Sequence, residues 1–279
     1  MNLNRSALFS LEGKTALLTG ASGFLGRMFA ETLLMNGARV IVIGRSEKLL
    51  ELAGVWSEIH GQSRVRACRV DMYDIAAFER SLDEIVAGEE SIDILVNNAH
   101  ELGAQTGFNV SNGALEEASY DQWMRNLTGG VYWAALTTQK IGRKMQSAKS
   151  GSIVNISTMY ALVAPSPHLY QGTKFLNPPG YSASKAALLS FTRYTASFWG
   201  SYGIRANAML PGPFSNTEEA GPNTVHDDVL FLDRLRARTC LLRIGRPAEL
   251  AGALLFLASE ASSYMTGQAM IVDGGWTVT

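Results

Sequence analysis

The sequence predicts an α/β fold, a doubly wound parallel sheet with helices on both faces. Short runs rich in Val, Ile and Leu alternate with longer helical patterns along most of the 279 residues. Those runs are apolar nearly throughout rather than at every second residue, as strands covered on both faces must be. The first of them leads into a glycine-spaced turn, "TGASGFLG", that opens a helical pattern.

Taken in order, "KTALLTG" (14–20) reads as a strand and 24–36 as a helix. "RVIVIG" (39–44) is the second strand, followed by a helix over 46–59. "RVRACRVD" (64–71) is the third, with a helix near 74–87, and "SIDILVNNA" (91–99) the fourth. A long helical stretch covers 120–147 and leads to the strand "GSIVNIS" (151–157). Residues 181–199 form a helix, being rich in Ala and Leu and free of Gly and Pro. "IRANAML" (204–210) is strand-like, 247–259 helical, and "QAMIVDGG" (268–275) the last strand. Two irregular segments follow strands, 158–180 and 211–240. Loops beyond the carboxyl ends of strands build the ligand site of an open α/β sheet, so both are candidate substrate segments.

The length suits one large domain, 1–279, and the 47% apolar content is enough for a substantial core. Lys plus Arg is 24 against 25 for Asp plus Glu, which gives no long-range attraction for nucleic acid or an anionic membrane. Cys68 and Cys240 form no C-x-x-C pattern, so neither a disulfide framework nor a metal site is expected, and a reducing, cytoplasmic setting fits. The N-terminal segment does not read as a secretory signal, and no apolar run is long enough to span a membrane.

Gly20, Gly23 and Gly26 allow a sharp turn out of the strand, close approach of backbone N–H groups to a pyrophosphate, and tight helix–strand packing. With Ser22, Phe24 and Leu25 they form a candidate phosphate cradle at a helix N-terminus, where the dipole favours an anion. In place of the usual carboxylate for a ribose 2′-OH, the second strand ends in Gly44 followed by Arg45. A guanidinium suits a 2′-phosphate, so the reading leans to NADP, with NAD as the alternative. Asp71 and Met72 are placed at the adenine edge, and Asn97, Asn98 and Ala99 at the adenosine ribose.

Two Tyr-x-x-x-Lys pairs compete for chemistry: Tyr170–Lys174 and Tyr181–Lys185. A phenol has a pKa of about 10 and needs a neighbouring cation to work as acid or base near neutrality. Residues four apart share a face only on a helix. "YSASKAALLSFTR" supplies one, whereas "YQGTKFLNPP" contains Gly172 and runs into Pro178 and Pro179. Tyr181 and Lys185 are therefore the reactive pair. Ser157, at a strand's carboxyl end, can hold a substrate oxygen, and Asn126 can anchor a relay water.

With these residues in view, the chain resembles the short-chain dehydrogenases/reductases over nearly its whole length. The matching pieces are "GKTALLTGASGFLG", "VNNA", "NLTGG", "GSIVNIS", "YSASKAAL", "IRANAMLPGP", "GRPAELAGALLFLAS" and "TGQAMIVDGG". The resemblance implies a single Rossmann-like domain with a seven-stranded parallel sheet, and NAD(P)-dependent interconversion of an alcohol and a ketone. It casts Tyr181 as general acid/base, Lys185 as its pKa-lowering partner and nicotinamide-ribose ligand, Ser157 as the carbonyl-orienting serine, and Asn126 as the proton-relay residue. It sets Pro211 and Gly212 beside the nicotinamide. It further implies a homo-oligomer, tetramer or dimer, packed through 120–147 and 181–199.

Three departures stand out. Phe24 replaces the middle glycine of the commonest subgroup. His100 replaces the glycine after Asn-Asn-Ala, either approaching nicotinamide and substrate or packing without a role. Ser157 and Tyr181 lie 24 positions apart, about twice the family's usual spacing, which implies an insertion within 159–180 roofing the substrate. Met159, His168, Tyr170 and Asn177 there, with Phe214, are candidate substrate contacts. "NPPGY" resembles a subset tied to sugar or keto-sugar metabolism, so the expected substrate is a small carbonyl or alcohol compound of sugar or polyol type. The rival readings are a catalytically silent dinucleotide-binding sensor or scaffold and a sugar epimerase or dehydratase that retains its cofactor.

Overall fold

A computed structural model describes residues 8–214 and 226–279. The middle of the 211–240 segment, 215–225, lies outside the described residues.

Seven apolar segments become parallel strands: β1 (Thr15–Thr19), β2 (Arg39–Gly44), β3 (Val65–Arg69), β4 (Ile94–Asn97), β5 (Gly151–Ile156), β6 (Ile204–Pro211) and β7 (Ala269–Val272). Their order is β3-β2-β1-β4-β5-β6-β7, and every pairing is parallel. The chain reverses direction across the sheet between β1 and β4. A crevice opens there at the carboxyl ends, where this fold class binds ligands.

The helices are α1 (Phe24–Met35), α2 (Lys48–His60), α3 (Ile75–Gly88), α4 (Tyr120–Leu127), α5 (Trp133–Ala148), α6 (Pro167–Tyr170), α7 (Pro179–Trp199), α8 (His226–Arg238) and α9 (Ala251–Ala258). Successive strand residues point to opposite faces, which divides the core in two. Ala16, Leu18, Val40 and Val42 pack with Phe29 and Leu33 of α1, Trp56 of α2 and Leu254 of α9. Leu17, Ile41, Ile43 and Leu95 pack with Phe78 and Leu82 of α3, Trp133 and Ile141 of α5 and Ala196 of α7.

The segments read as irregular, 158–180 and 211–240, hold helices of their own, α6 and α8, and two further elements differ from the sequence reading. The stretch 120–147 is helical throughout but not uniformly α: a π-helical turn at Thr128–Tyr132 joins α4 to α5. Thr-Gly-Gly is poor helix material, and the turn lets Gly129 and Gly130 lie buried. The helix carrying Tyr181 begins earlier, at Pro179, because proline's fixed φ suits a first helical position.

The insertion folds into its own small core. Met159, Tyr160 and Leu169 pack with Leu232 and Leu235 of α8, Ile244 and Trp276, with Tyr170, Tyr181 and Phe231 against them. Arg234 donates to the carbonyls of Leu169 and Gln171, tying α8 to α6. The segment is thus a packed roof over the Tyr181 end of the sheet.

Candidate functional site

A cleft of about 490 Å³ runs along the carboxyl ends of the strands from Arg45 to Phe214. Its floor at one end is the glycine turn. Gly20 adopts φ +70°, and a Cβ there would meet Ala99 Cα at 2.8 Å. A Cβ on Gly26 would sit 2.1 Å from the Gly20 carbonyl oxygen, so only glycine lets α1 start this close to β1. Gly23 caps α1 without a side chain, and the first turn carries no acid. The amides of Phe24 and Leu25 at that N-terminus line the cleft, a ready anion site. Asn98 Nδ2 donates to the carbonyls of Thr19 and Gly20 at 3.1 Å, and Thr19 Oγ1 accepts from the amides of Asn98 and Ala99. These bonds lock the β4 end to the glycine turn.

At the β2 end, Arg45 Nη2 donates to Glu101 Oε1 at 2.9 Å. Glu101 also holds Arg125 of α4, 3.0 Å away, whose guanidinium lies 3.9 Å over the Tyr73 ring. Burial alone would raise the Glu101 pKa, but hydrogen bonds from Arg45 and Arg125 turn the net shift downward. Glu101 carries no signal in the sequence, because its partners are Arg45, just after β2, and Arg125 of α4. Arg45, Asp71 and Met72 all line this end.

At the other end Ser157, Tyr181 and Lys185 line the cleft together with Pro211, Gly212 and Phe214. Ser157 is buried at the end of β5, and its Oγ donates to the Lys185 carbonyl at 2.9 Å. The Tyr181 ring is gripped edge-on by His100 and Phe108, each at 5.1 Å between centroids. Burial pushes the Tyr181 pKa up to about 12, against a lowering influence of the buried Thr158 hydroxyl, a residue not foreseen in the sequence. Burial brings the Lys185 amine down to about 7, and its Nζ donates to the Ile156 carbonyl at 2.8 Å. Burial outweighs the neighbouring groups at the phenol, and the Lys185 amine is itself held low by burial.

Asn126 lies fully inside, behind the cleft, with Nδ2 donating to the carbonyls of Thr106 and Gln122. Five further expected positions are, like Asn126, not among the cleft-lining residues. Asn97 points into the sheet's interior and donates to Asn155 and Thr138. His168 is exposed on α6. Met159 is buried in the roof core, and Tyr170 is packed there with its hydroxyl against that of Tyr160 at 3.3 Å. Asn177, with a buried Oδ1 lacking a partner, also stands outside the lining. Tyr170 and Lys174 share no helix, since α6 ends at Tyr170.

Residues 20–277 match a family described as enoyl-(acyl carrier protein) reductase. The chain belongs to the short-chain dehydrogenase/reductase family. It is 34% identical to gluconate 5-dehydrogenase of Gluconobacter oxydans, over 98% of each chain. It is 33% identical to galactitol 2-dehydrogenase of Rhizobium johnstonii, over 96% of this chain and 97% of that one. Its fold matches a gluconate 5-dehydrogenase from Burkholderia cenocepacia, crystallised with NADP and tartrate, with a TM-score of 0.83 and 29% identity over 99% and 100% of the two chains. The protein is thus an NAD(P)-dependent oxidoreductase that interconverts an alcohol and a ketone.

Proposed function

We propose that the protein is an NADP-dependent dehydrogenase/reductase acting on a small sugar acid, ketose or polyol, with Tyr181 as the acid/base. The observation that carries this reading is the shared cleft. The glycine turn and Ser157, Tyr181 and Lys185 line one and the same cleft, as a bound dinucleotide requires.

NADP would be held by the Gly20–Gly26 turn at its pyrophosphate, by Arg45 at its 2′-phosphate, by Asp71, Met72, Asn98 and Ala99 at its adenosine, and by Lys185, Pro211 and Gly212 at its nicotinamide half. When bound, it supplies or receives the hydride. Tyr181 gives its proton to the carbonyl oxygen during reduction and takes it back during oxidation. Ser157 holds that oxygen in line, and its hydroxyl must turn from the Lys185 carbonyl to do so. Lys185, delivered to the same cleft one helical turn from Tyr181, stabilises the phenolate once it forms. The roof built by α6 and α8 excludes water from the reacting atoms.

Similarity to enzymes named for gluconate and galactitol supports a polyhydroxylated substrate, and the NADP of the Burkholderia structure supports the coenzyme. We also propose a single domain working as a cytoplasmic homotetramer or dimer. Tyr120 and Tyr132 near α4, and the stacked pair Tyr194–Phe198 on α7, are exposed apolar surface on the segments such an interface would use. Both cysteines are free thiols. A screen of ketoses, keto-acids and polyols with NADPH and NADH, followed at the nicotinamide absorbance, tests the reading. Turnover of a polyhydroxylated ketone preferring NADPH is expected, and turnover confined to simple acyl ketones would overturn it.

A further inference from the structure

The cation that suits the coenzyme's 2′-phosphate is already engaged. Arg45 follows β2 and Glu101 follows β4, and both line the cleft. Strand β1, with the glycine turn at its end, lies between those two strands. The bond from Arg45 Nη2 to Glu101 Oε1, 2.9 Å, therefore bridges the two sides of the crevice that would take the adenosine half. The other oxygen of that carboxylate is held from outside the cleft. Glu101 Oε2 accepts from Arg125 Nη2 at 3.0 Å and from Nε at 3.3 Å, and the Arg125 guanidinium is seated over the Tyr73 ring. The Glu101 side chain is 12% exposed and that of Arg45 53%. Arg69 Nε pins the Arg45 carbonyl at 3.1 Å, which leaves motion to the Arg45 side chain. The carboxylate is thus the fixed half of the pair and the guanidinium the movable half. Burial would raise the carboxyl's pKa, yet the two guanidinium groups keep it below its ordinary range, so it carries a full charge at neutral pH.

We propose that Glu101 is a specificity-determining residue for the coenzyme: its carboxylate competes with the 2′-phosphate of NADPH for the Arg45 guanidinium, and so holds down the preference of this chain for NADPH over NADH. The proposal rests on Arg45 being the 2′-phosphate ligand. NADPH must draw the guanidinium away from a carboxylate that then remains near the phosphate, and the two anions repel. NADH has a hydroxyl in place of the phosphate, makes no claim on the charge of Arg45, and leaves the pair closed across the crevice. Arg125 keeps the competition in place, because it anchors Glu101 at the cleft whichever way Arg45 turns. Solvent around the half-exposed Arg45 weakens the pair, so the effect is several-fold and not orders of magnitude.

Calorimetric titration of NADPH and NADH into the full chain tests this without any substrate. The proteins compared are wild type, Glu101→Gln, Arg45→Ala and the double variant. Glu101→Gln keeps the side chain's size and removes its charge. It should tighten NADPH by about 3- to 10-fold and leave NADH within about twofold of wild type. On the Arg45→Ala background the same change should move NADPH by less than about twofold, since no guanidinium is left to release. Arg125→Met offers a second route, because it leaves Glu101 only Arg45 to pair with. It should weaken NADPH by about two- to fivefold with NADH within about twofold of wild type. Weaker or unchanged NADPH binding in Glu101→Gln overturns the proposal, and so does an equal change in both coenzymes. A gain of the same size with and without Arg45 overturns it as well, since the carboxylate would then act on the phosphate directly. NADPH binding that is unchanged or tighter in Arg125→Met also counts against it. All of these leave the proposed function standing. A wild type that binds neither coenzyme, or an Arg45→Ala variant that binds NADPH as wild type does, overturns the coenzyme reading of that function instead.

Discussion

Replacing Lys185 by methionine should make the protein more stable while it ends catalysis. The amine is buried, and burial brings its pKa from 10.5 to about 7. At 1.36 kcal/mol per pKa unit, that gap corresponds to on the order of 5 kcal/mol disfavouring the charged form in the folded state. The sign follows from proton binding. Between about pH 7 and 10.5 the unfolded chain holds this proton more fully than the folded one, so wild-type stability rises with pH across that window. Below about pH 7 the full penalty is present. Methionine removes it, fills similar volume, and forfeits the bond from Nζ to the Ile156 carbonyl. Leaving that carbonyl unpaired costs about 1–3 kcal/mol. The variant should therefore exceed wild type by roughly 2–4 kcal/mol near pH 6, and the advantage should be gone near pH 10. Urea unfolding of both proteins at the two pH values measures this through the midpoints. A variant less stable than wild type near pH 6, or a difference that does not change with pH, would refute the reasoning.

Other outcomes follow from the same geometry. Arg45→Ala should weaken NADPH binding by roughly 10- to 100-fold, the worth of a charge-assisted contact, with little effect on NADH; calorimetric titration of both coenzymes checks it. Glu101→Gln should release Arg45 from its carboxylate clasp and shift the preference further towards NADPH, whereas a shift towards NADH would contradict the assignment of Arg45. Gly26→Ala places a methyl 2.1 Å from the Gly20 carbonyl oxygen, so it should cost about 1–3 kcal/mol, visible as a lower Tm, and weaken both coenzymes together.

Much of this was legible in the chain. Strands buried on both faces announce themselves as apolar runs, and the seven sheet strands lie in, or within one residue of, the segments read as strands, although β3 carries Arg66 and Arg69 and is only half-buried. The tight turn between β1 and α1 followed from glycine spacing, because the constraints at Gly20 and Gly26 are local. The choice of Tyr181 over Tyr170 rested on whether a helix could form around each, and α7 and the short α6 agree with it. What escaped depends on register and distant partners. Asn97 and Asn98 are adjacent, yet alternation turns Asn97 inward, where pairing of β4 with β5 sets it opposite Asn155. Glu101 finds its partners just after β2, at Arg45, and on α4, at Arg125. Met159 and Tyr170 looked like substrate contacts because their segment is irregular, but their apolar surface is used to pack the roof. The phenol's raised pKa was beyond a helical-spacing argument, which counts a neighbouring charge and not the desolvation of both groups.

The central claim is that the Tyr181 phenol, and not that of Tyr170, moves the proton. Steady-state reduction of the best ketone by NADPH, compared among wild type, Tyr181→Phe and Tyr170→Phe, addresses it directly. The account predicts a loss of kcat of about 10²- to 10⁴-fold in Tyr181→Phe with NADPH still bound, and kcat within a few-fold of wild type in Tyr170→Phe. Retained turnover in the first variant, together with its loss in the second, would contradict the account.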